Sequence, residues 1–281
     1  MKYTFGAYTN IGTTRKTNQD SLLIKKAKSP KGEILLAVIC DGMGGLSKGE
    51  LASATMIRRF DEWFDAELEL FLSDPGFDRI AGRWQYLINE INNKFVQVGL
   101  ETGERLGTTF TGILFVGNKM LIEHVGDTRA YFTGDSFCQL TEDQTFINQE
   151  IKAGRLTLEE AMVHPKRNAL TQCVGASINV VPQIITLDVL PGTYMLCSDG
   201  FRHTIVDSEL NGAMQSIKGK NGNEIDMLCR QMTEQAMARG EKDNITVAMI
   251  EATKNITFGG GAFKIIDGLK FTHTEETIVL D

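Results

Sequence analysis

The chain opens on three strand-like apolar stretches, near residues 3–10, 20–25 and 33–41. Met1-Lys2-Tyr3-Thr4-Phe5 alternates, whereas Ile34 to Cys40 is an unbroken apolar run of the kind expected in a buried strand. The period then changes. Trp63, Phe64, Leu68 and Phe71 recur at helical spacing, as do Trp84, Leu87, Ile88, Ile91 and Phe95. They predict two long amphipathic helices over 48–71 and 78–101, with these side chains in the core. Four short strands follow at 108–116, 119–125, 129–133 and 136–140, punctuated by Gly117-Asn118 and Gly134-Asp135. The stretch 141–175 is polar, with two short helical pieces, and a segment of that length between strands is often functional. Strands at 182–188 and 193–198, helices near 206–217 and 223–238, and a strand at 244–250 complete the pattern. Past the flexible break Gly259-Gly260-Gly261, residues 263–271 resemble a hairpin turning at Asp267-Gly268.

Strand runs interrupted by paired helices predict an α+β fold, a four-layer sandwich of two stacked, mostly antiparallel sheets flanked by helix pairs. Stacked sheets bring several strand ends to one rim. The length of 281 residues allows one large domain or two small ones. Composition narrows the function more than the fold. A net charge of −7 argues against nonspecific nucleic-acid binding, which needs a basic surface. No apolar run approaches the length of a membrane span, and the first residues lack a signal-peptide core. Five cysteines, an odd number with no CxxC pair, are expected to be reduced thiols in a cytoplasmic protein.

The candidate chemistry lies in four aspartates placed where predicted strands meet glycine or polar turns: Asp41-Gly42, Gly126-Asp127, Asp199-Gly200 and Asp243-Asn244. Any one could be a turn residue. Repetition at separated strand ends points further, because converging carboxylates are costly to desolvate unless cations compensate them. Oxygen donors suit hard cations. Such a rim fits phosphoryl chemistry, in which a pair of divalent ions activates water and neutralises phosphate. It also needs a cation for the phosphoryl oxygens, and Arg15 is the candidate, since its planar fork matches two of them. Other routes to the same chemistry fail on spacing. Cys197 and Arg202 are one residue too close for a cysteine-nucleophile loop, and there is no Asp-x-Asp nucleophile pair at a strand end and no Walker motif. The four histidines are too scattered for a His-rich dinuclear site, and His164 and His203 are read as structural hydrogen-bonding groups.

Together these residues resemble the metal-dependent Ser/Thr protein phosphatases of type 2C, in their bacterial form. The matching motifs are Gly12-x-x-Arg15-x-x-Asn18-Gln19-Asp20, Asp41-Gly42-Met43-Gly44-Gly45, Gly107-Thr108-Thr109, Gly126-Asp127-Thr128-Arg129, Leu140-Thr141, Asn168-Ala169-Leu170-Thr171 with Gly175, Cys197-Ser198-Asp199-Gly200 and Asp243-Asn244-Ile245-Thr246. They occur in family order over residues 3–251. The resemblance implies a phosphatase domain over 1–252, with 141–175 as a mobile flap and 253–281 as a C-terminal extension. It implies two Mn²⁺ or Mg²⁺ ions, with Asp41 bridging them, the Gly42 carbonyl on one, and Asp199 and Asp243 on the other. Asp127 and Asp199 would support a third, weaker ion. Arg15 would bind the substrate phosphate, and Asp20 would act through metal-held water. The implied reaction is direct in-line attack on phosphoserine or phosphothreonine proteins without a phosphoenzyme, opposing a Ser/Thr kinase. A pseudophosphatase acting as a phosphoprotein-binding module is the rival. Two departures bear on chemistry: Gln19 stands where relatives often carry Glu, and Met43 where animal members carry His. In the tail, Thr277 follows two acidic residues and precedes an apolar residue three positions on, which resembles a phosphothreonine motif for a forkhead-associated partner.

Overall fold

The computed structural model describes residues 1–43, 48–72, 76–176, 178–254 and 262–274. Gly44, Gly45, the Gly259–Gly261 break and Thr277 lie outside the described residues. In chain order the elements are β1 (Lys2–Asn10), β2 (Asp20–Ser29), β3 (Gly32–Asp41), α1 (Gly49–Ala66), α2 (Leu68–Leu72), α3 (Phe77–Thr102), β4 (Phe110–Val116), β5 (Lys119–Val125), β6 (Arg129–Thr133) and β7 (Phe137–Gln139). Then come α4 (Phe146–Lys152), α5 (Leu158–Val163), β8 (Gln183–Asp188), β9 (Gly192–Cys197), α6 (Asp199–Arg202), α7 (Asp207–Ser216), α8 (Gly222–Ala238), β10 (Ile245–Thr253) and β11 (Lys264–Phe271).

The strands form a five-stranded sheet, β1-β10-β9-β6-β7, and a six-stranded sheet, β11-β2-β3-β4-β5-β8. Neighbouring strands in both are antiparallel. The unbroken apolar run of β3 is explained by its place. Leu35, Ala37 and Ile39 face the other sheet, where they meet the cluster of Tyr194, Leu196 and Ile250. Leu36, Val38 and Cys40 face the layer of α1 and α3. In that layer Trp63 and Trp84 pack edge to face, with centroids 5.4 Å apart. Each fully buried aromatic of this size removes about 150–250 Å² from water, roughly 4–6 kcal/mol as an upper bound. On the outside of the five-stranded sheet, Met214, Ile225 and Met232 cover Met195, Val247 and Met249. The result is four layers, as the sequence predicts.

Two elements differ from the sequence reading. The first long helix divides at Glu67, whose carboxylate is clamped by Arg83 of α3 at 2.6 and 2.8 Å. Residues 263–271 do not form a hairpin. β11 is one strand on the open edge of β2, with its register shifted between Ile265 and Asp267. Gly268 serves close approach rather than a turn, since a Cβ there would lie 2.8 Å from the Ile24 carbonyl oxygen.

Candidate active site

The site forms where strand ends from both sheets meet. Asp20 opens β2 and Asp41 closes β3, and the two are paired directly across the ladder. Asp127 follows β5, Asp199 begins the α6 turn after β9, and Asp243 stands just before β10. The backbone at Gly42 runs against that of Gly49 and Gln19. A Cβ at Gly42 would sit 2.3 Å from the Gly49 carbonyl oxygen and 2.7 Å from that of Gln19, so no larger residue fits.

The loop carrying Arg15 is stitched to the start of β10. Thr13 and Thr14 donate their hydroxyls to the carbonyls of Glu241 and Lys242. Asn244 donates to the carbonyls of Ile11 and Thr17 and accepts from the Gln19 amide. Arg15 thereby meets Asp243 in a two-pronged pair, Nε to Oδ1 at 2.7 Å and Nη2 to Oδ2 at 2.6 Å. Asp20 is held more deeply. Its Oδ2 accepts from Ser198 Oγ at 2.9 Å and Thr246 Oγ1 at 2.6 Å, while its buried Oδ1 has no partner among the described residues.

The electrostatics show how closely these groups gather. Burial, then Asp20, Asp199, Asp127 and Asp243, push the Asp41 carboxyl well above the usual range. Burial chiefly, with Asp199 and Asp243 adding and two hydroxyl bonds opposing, raises Asp20 to about 7. Burial and Asp199 raise Asp127 to about 7 against the opposing pull of Arg202. A cleft of about 1240 Å³ is lined by Arg15, Asp127, Asp199 and Asp243 on one side and by Ile147, Ile151, Leu158 and Met162 of α4 and α5 on the other.

Do these residues suit metal ions? The donors are carboxylate oxygens whose burial, and then whose mutual crowding, opposes ionisation, and one buried oxygen lacks a partner among the described residues. In kind and in charge that set fits hard divalent cations. Among the described residues, no three His, Cys, Asp or Glu side chains are already gathered closely enough to grip one, and both oxygens of Asp243 are engaged by Arg15.

The protein phosphatase 2C family model matches residues 13–241. The chain belongs to this family. Protein phosphatase PhpP of Streptococcus pneumoniae is 30% identical over 250 residues, covering 86% of this chain and 94% of the relative. The crystal structure of Ser/Thr phosphatase Stp1 from Staphylococcus aureus superposes with a TM-score of 0.78 at 27% identity, covering 90% of this chain and 96% of that one. The catalytic domain of Ser/Thr phosphatase PstP, solved in complex with two manganese ions, gives a TM-score of 0.69 at 28% identity over 89% of this chain and 97% of that one. The chain is thus a metal-dependent protein Ser/Thr phosphatase, a hydrolase. No helix among the described residues is long and apolar enough to cross a membrane.

The sequence reading of this phosphatase missed a second charged network beside the aspartates. Asp143 takes Arg129 Nε and Nη2 at 2.7 Å each, and Arg202 Nη2 lies 3.5 Å from Asp143 Oδ2 and 3.6 Å from Asp127 Oδ2. Although burial opposes it, the Arg129 bonds and the nearby Arg202 hold Asp143 below the usual carboxylate range. His203 lies between Asp199 Oδ2 at 3.5 Å and Glu241 Oε2 at 3.3 Å. The available signal was Arg202 three residues after Asp199, close to one helical turn away.

Proposed function

We propose that this phosphatase hydrolyses phosphoserine and phosphothreonine proteins at a centre of two divalent ions, Mn²⁺ or Mg²⁺, held by Asp41, the Gly42 carbonyl, Asp199 and Asp243. The observation that carries the assignment is the convergence of five aspartates at one rim, three of which line a single cleft together with the guanidinium fork of Arg15. When bound, the ions lower the pKa of water and neutralise the phosphoryl oxygens. The chain's own residues do the rest. Arg15 offers two parallel N–H donors to the substrate phosphate. Asp20, fixed by Ser198 and Thr246, keeps Oδ1 free to accept a hydrogen bond from a water near the ions. Arg15 and Asp243 compete in these roles, because each holds the other in the structure. Asp127, the residue expected at a third, weaker ion, faces Arg202 instead.

We further assign residues 1–252 to the phosphatase domain, 141–175 to a flap over the cleft and 253–281 to an extension, in a cytoplasmic protein opposing a Ser/Thr kinase. Thr277 in the extension is proposed as a kinase target read by a forkhead-associated partner. Incubation of the Asp199→Asn protein with such a kinase, followed by mass spectrometry, tests it, and an unmodified Thr277 beside labelled control substrates rejects it. The catalytic assignment is tested by hydrolysis of p-nitrophenyl phosphate and a phosphothreonine peptide with Mn²⁺ and with EDTA. Turnover that needs Mn²⁺ and is lost in Asp41→Asn is expected. Phosphopeptide binding without turnover would make the protein a binding module.

A further inference from the structure

We propose that the Arg202 guanidinium stands in for a third divalent ion beside Asp127, so that this phosphatase works with two ions and forms no third site. The inference rests on the two-ion reading above. Family resemblance assigns a third ion to Asp127 and Asp199, and the structure shows what occupies that neighbourhood. Arg202 Nη2 lies 3.6 Å from Asp127 Oδ2 and 3.3 Å from the Asp127 carbonyl oxygen. Both kinds of oxygen that Asp127 could offer a cation are thus already turned to one. The distance to the carboxylate is that of an ion pair rather than a good hydrogen bond, so the effect is one of charge.

The guanidinium is fixed there. Its side chain is only 15% exposed, and the same nitrogen lies 3.5 Å from Asp143, whose two oxygens bind Arg129. Two arginines and two aspartates make the group electrically neutral. Within this group Asp127 has no uncompensated charge to offer a dication, whereas Asp41, Asp199 and Asp243 together outnumber Arg15, the arginine paired with them among the described residues. Arg202 also ends the α6 turn that Asp199 begins, so an ion between Asp127 and Asp199 would sit beside a group that never loses its charge. Like charges at that range repel strongly once partly buried. Among the described residues the buried Arg202 Nε has no hydrogen-bond partner, so the side chain is not explained by a saturated structural network.

The test counts ions. Equilibrium dialysis, with free Mn²⁺ read by electron paramagnetic resonance, is run on the wild type, Arg202→Ala, Arg202→Lys and the double variant Arg202→Ala with Asp127→Asn. The wild type and Arg202→Lys should bind two ions up to millimolar Mn²⁺. Arg202→Ala should bind a third, at least about tenfold more tightly than Arg202→Lys binds any extra ion. The double variant should lose it, which a merely structural role for Arg202 does not predict. Three ions on the wild type overturn the proposal without recourse to any variant. So does an Arg202→Ala protein, folded by circular dichroism, that binds no more than the wild type. If Arg202→Ala does not fold, Arg202→Gln takes its place. A wild-type count below two overturns the two-ion reading itself, and this inference with it.

Discussion

Asp41 is the carboxylate on which the other four aspartates act, and that load has a measurable sign. Without metal its folded-state pKa lies above the ordinary 3.8, so the fold keeps its full stability below that value and loses it as pH rises and the group must ionise. Asp41→Asn removes the charge. In EDTA at neutral pH its melting temperature should therefore equal or exceed that of the wild type, while the difference vanishes near pH 3. With saturating Mn²⁺, turnover should fall at least about a hundredfold, the scale reached when metal ligation is disturbed. Near-normal turnover would remove Asp41 from the site. Arg15 makes a separable case. Losing a charge-assisted hydrogen bond, at roughly 1.5–3 kcal/mol, should raise KM for a phosphopeptide by about tenfold to a hundredfold in Arg15→Ala. Mn²⁺ affinity should not weaken, since Asp243 is released from its partner. Weaker Mn²⁺ binding with an unchanged KM would make Arg15 structural. The aspartates were legible in the sequence because each adjoins a strand end and a turn. Arg202 and Asp143 were not, because their pairing depends on how a turn after β9 meets a loop after β7, and no local spacing encodes that.

At the scale of elements, the same contrast separates periodicity from edges. β3, β4 and the helices α1 and α3 could be read because apolar side chains recur at fixed intervals over many residues. The fate of 263–271 could not, because Asp267-Gly268 satisfies a turn and a strand equally well until a partner edge is present. β2 supplies that edge, and β11 covers it. Lys270 adds an ion pair with Asp61 at 2.8 Å, and Arg58 donates to the Thr274 carbonyl. An uncovered strand edge offers a row of unpaired backbone groups to other chains. A protein ending at Lys254 should therefore melt at a lower temperature and self-associate at high concentration. It should keep Mn²⁺-dependent turnover within a few-fold, because none of the residues assigned to the ions or the phosphate lies in β11. Calorimetry and light scattering check this, and an unchanged melting point in a monomer would mean that β11 contributes nothing to the sheet.

For the whole molecule, stacking two sheets between helices leaves no face of β5 in water, and two adjacent residues show the consequence. Alternation sends Glu123 to the side of Leu121 and Val125, under the helical layer, and His124 to the side between the sheets. His124 is well provided for. Its Nδ1 accepts from the Thr111 hydroxyl at 2.8 Å and its Nε2 donates to the Glu142 carbonyl at 3.1 Å, which is the neutral ring. Burial first, against the nearby Asp143, lowers its pKa from 6.5 to about 4. Glu123 has no hydrogen-bond partner on either oxygen among the described residues, and burial raises its pKa from 4.5 to about 9. The signs oppose each other across the pH scale. For His124 the stability is present above 6.5 and is lost as pH falls from 6.5 toward 4, because only the unfolded chain takes up the proton. For Glu123 it is present below 4.5 and is lost as pH rises from 4.5 toward 9, because only the unfolded chain releases it. The two windows overlap between 4.5 and 6.5, where the losses partly cancel in slope. Glu123→Gln keeps a neutral side chain of the same shape and cannot ionise in the unfolded chain. Its melting curve should coincide with that of the wild type near pH 4 and rise progressively above it through pH 9, with the acid limb due to His124 unchanged. Two curves that stay parallel from pH 4 to pH 9 would show that Glu123 is ionised in the folded protein, and that a cation or water too deep to exchange sits under α3 to receive it.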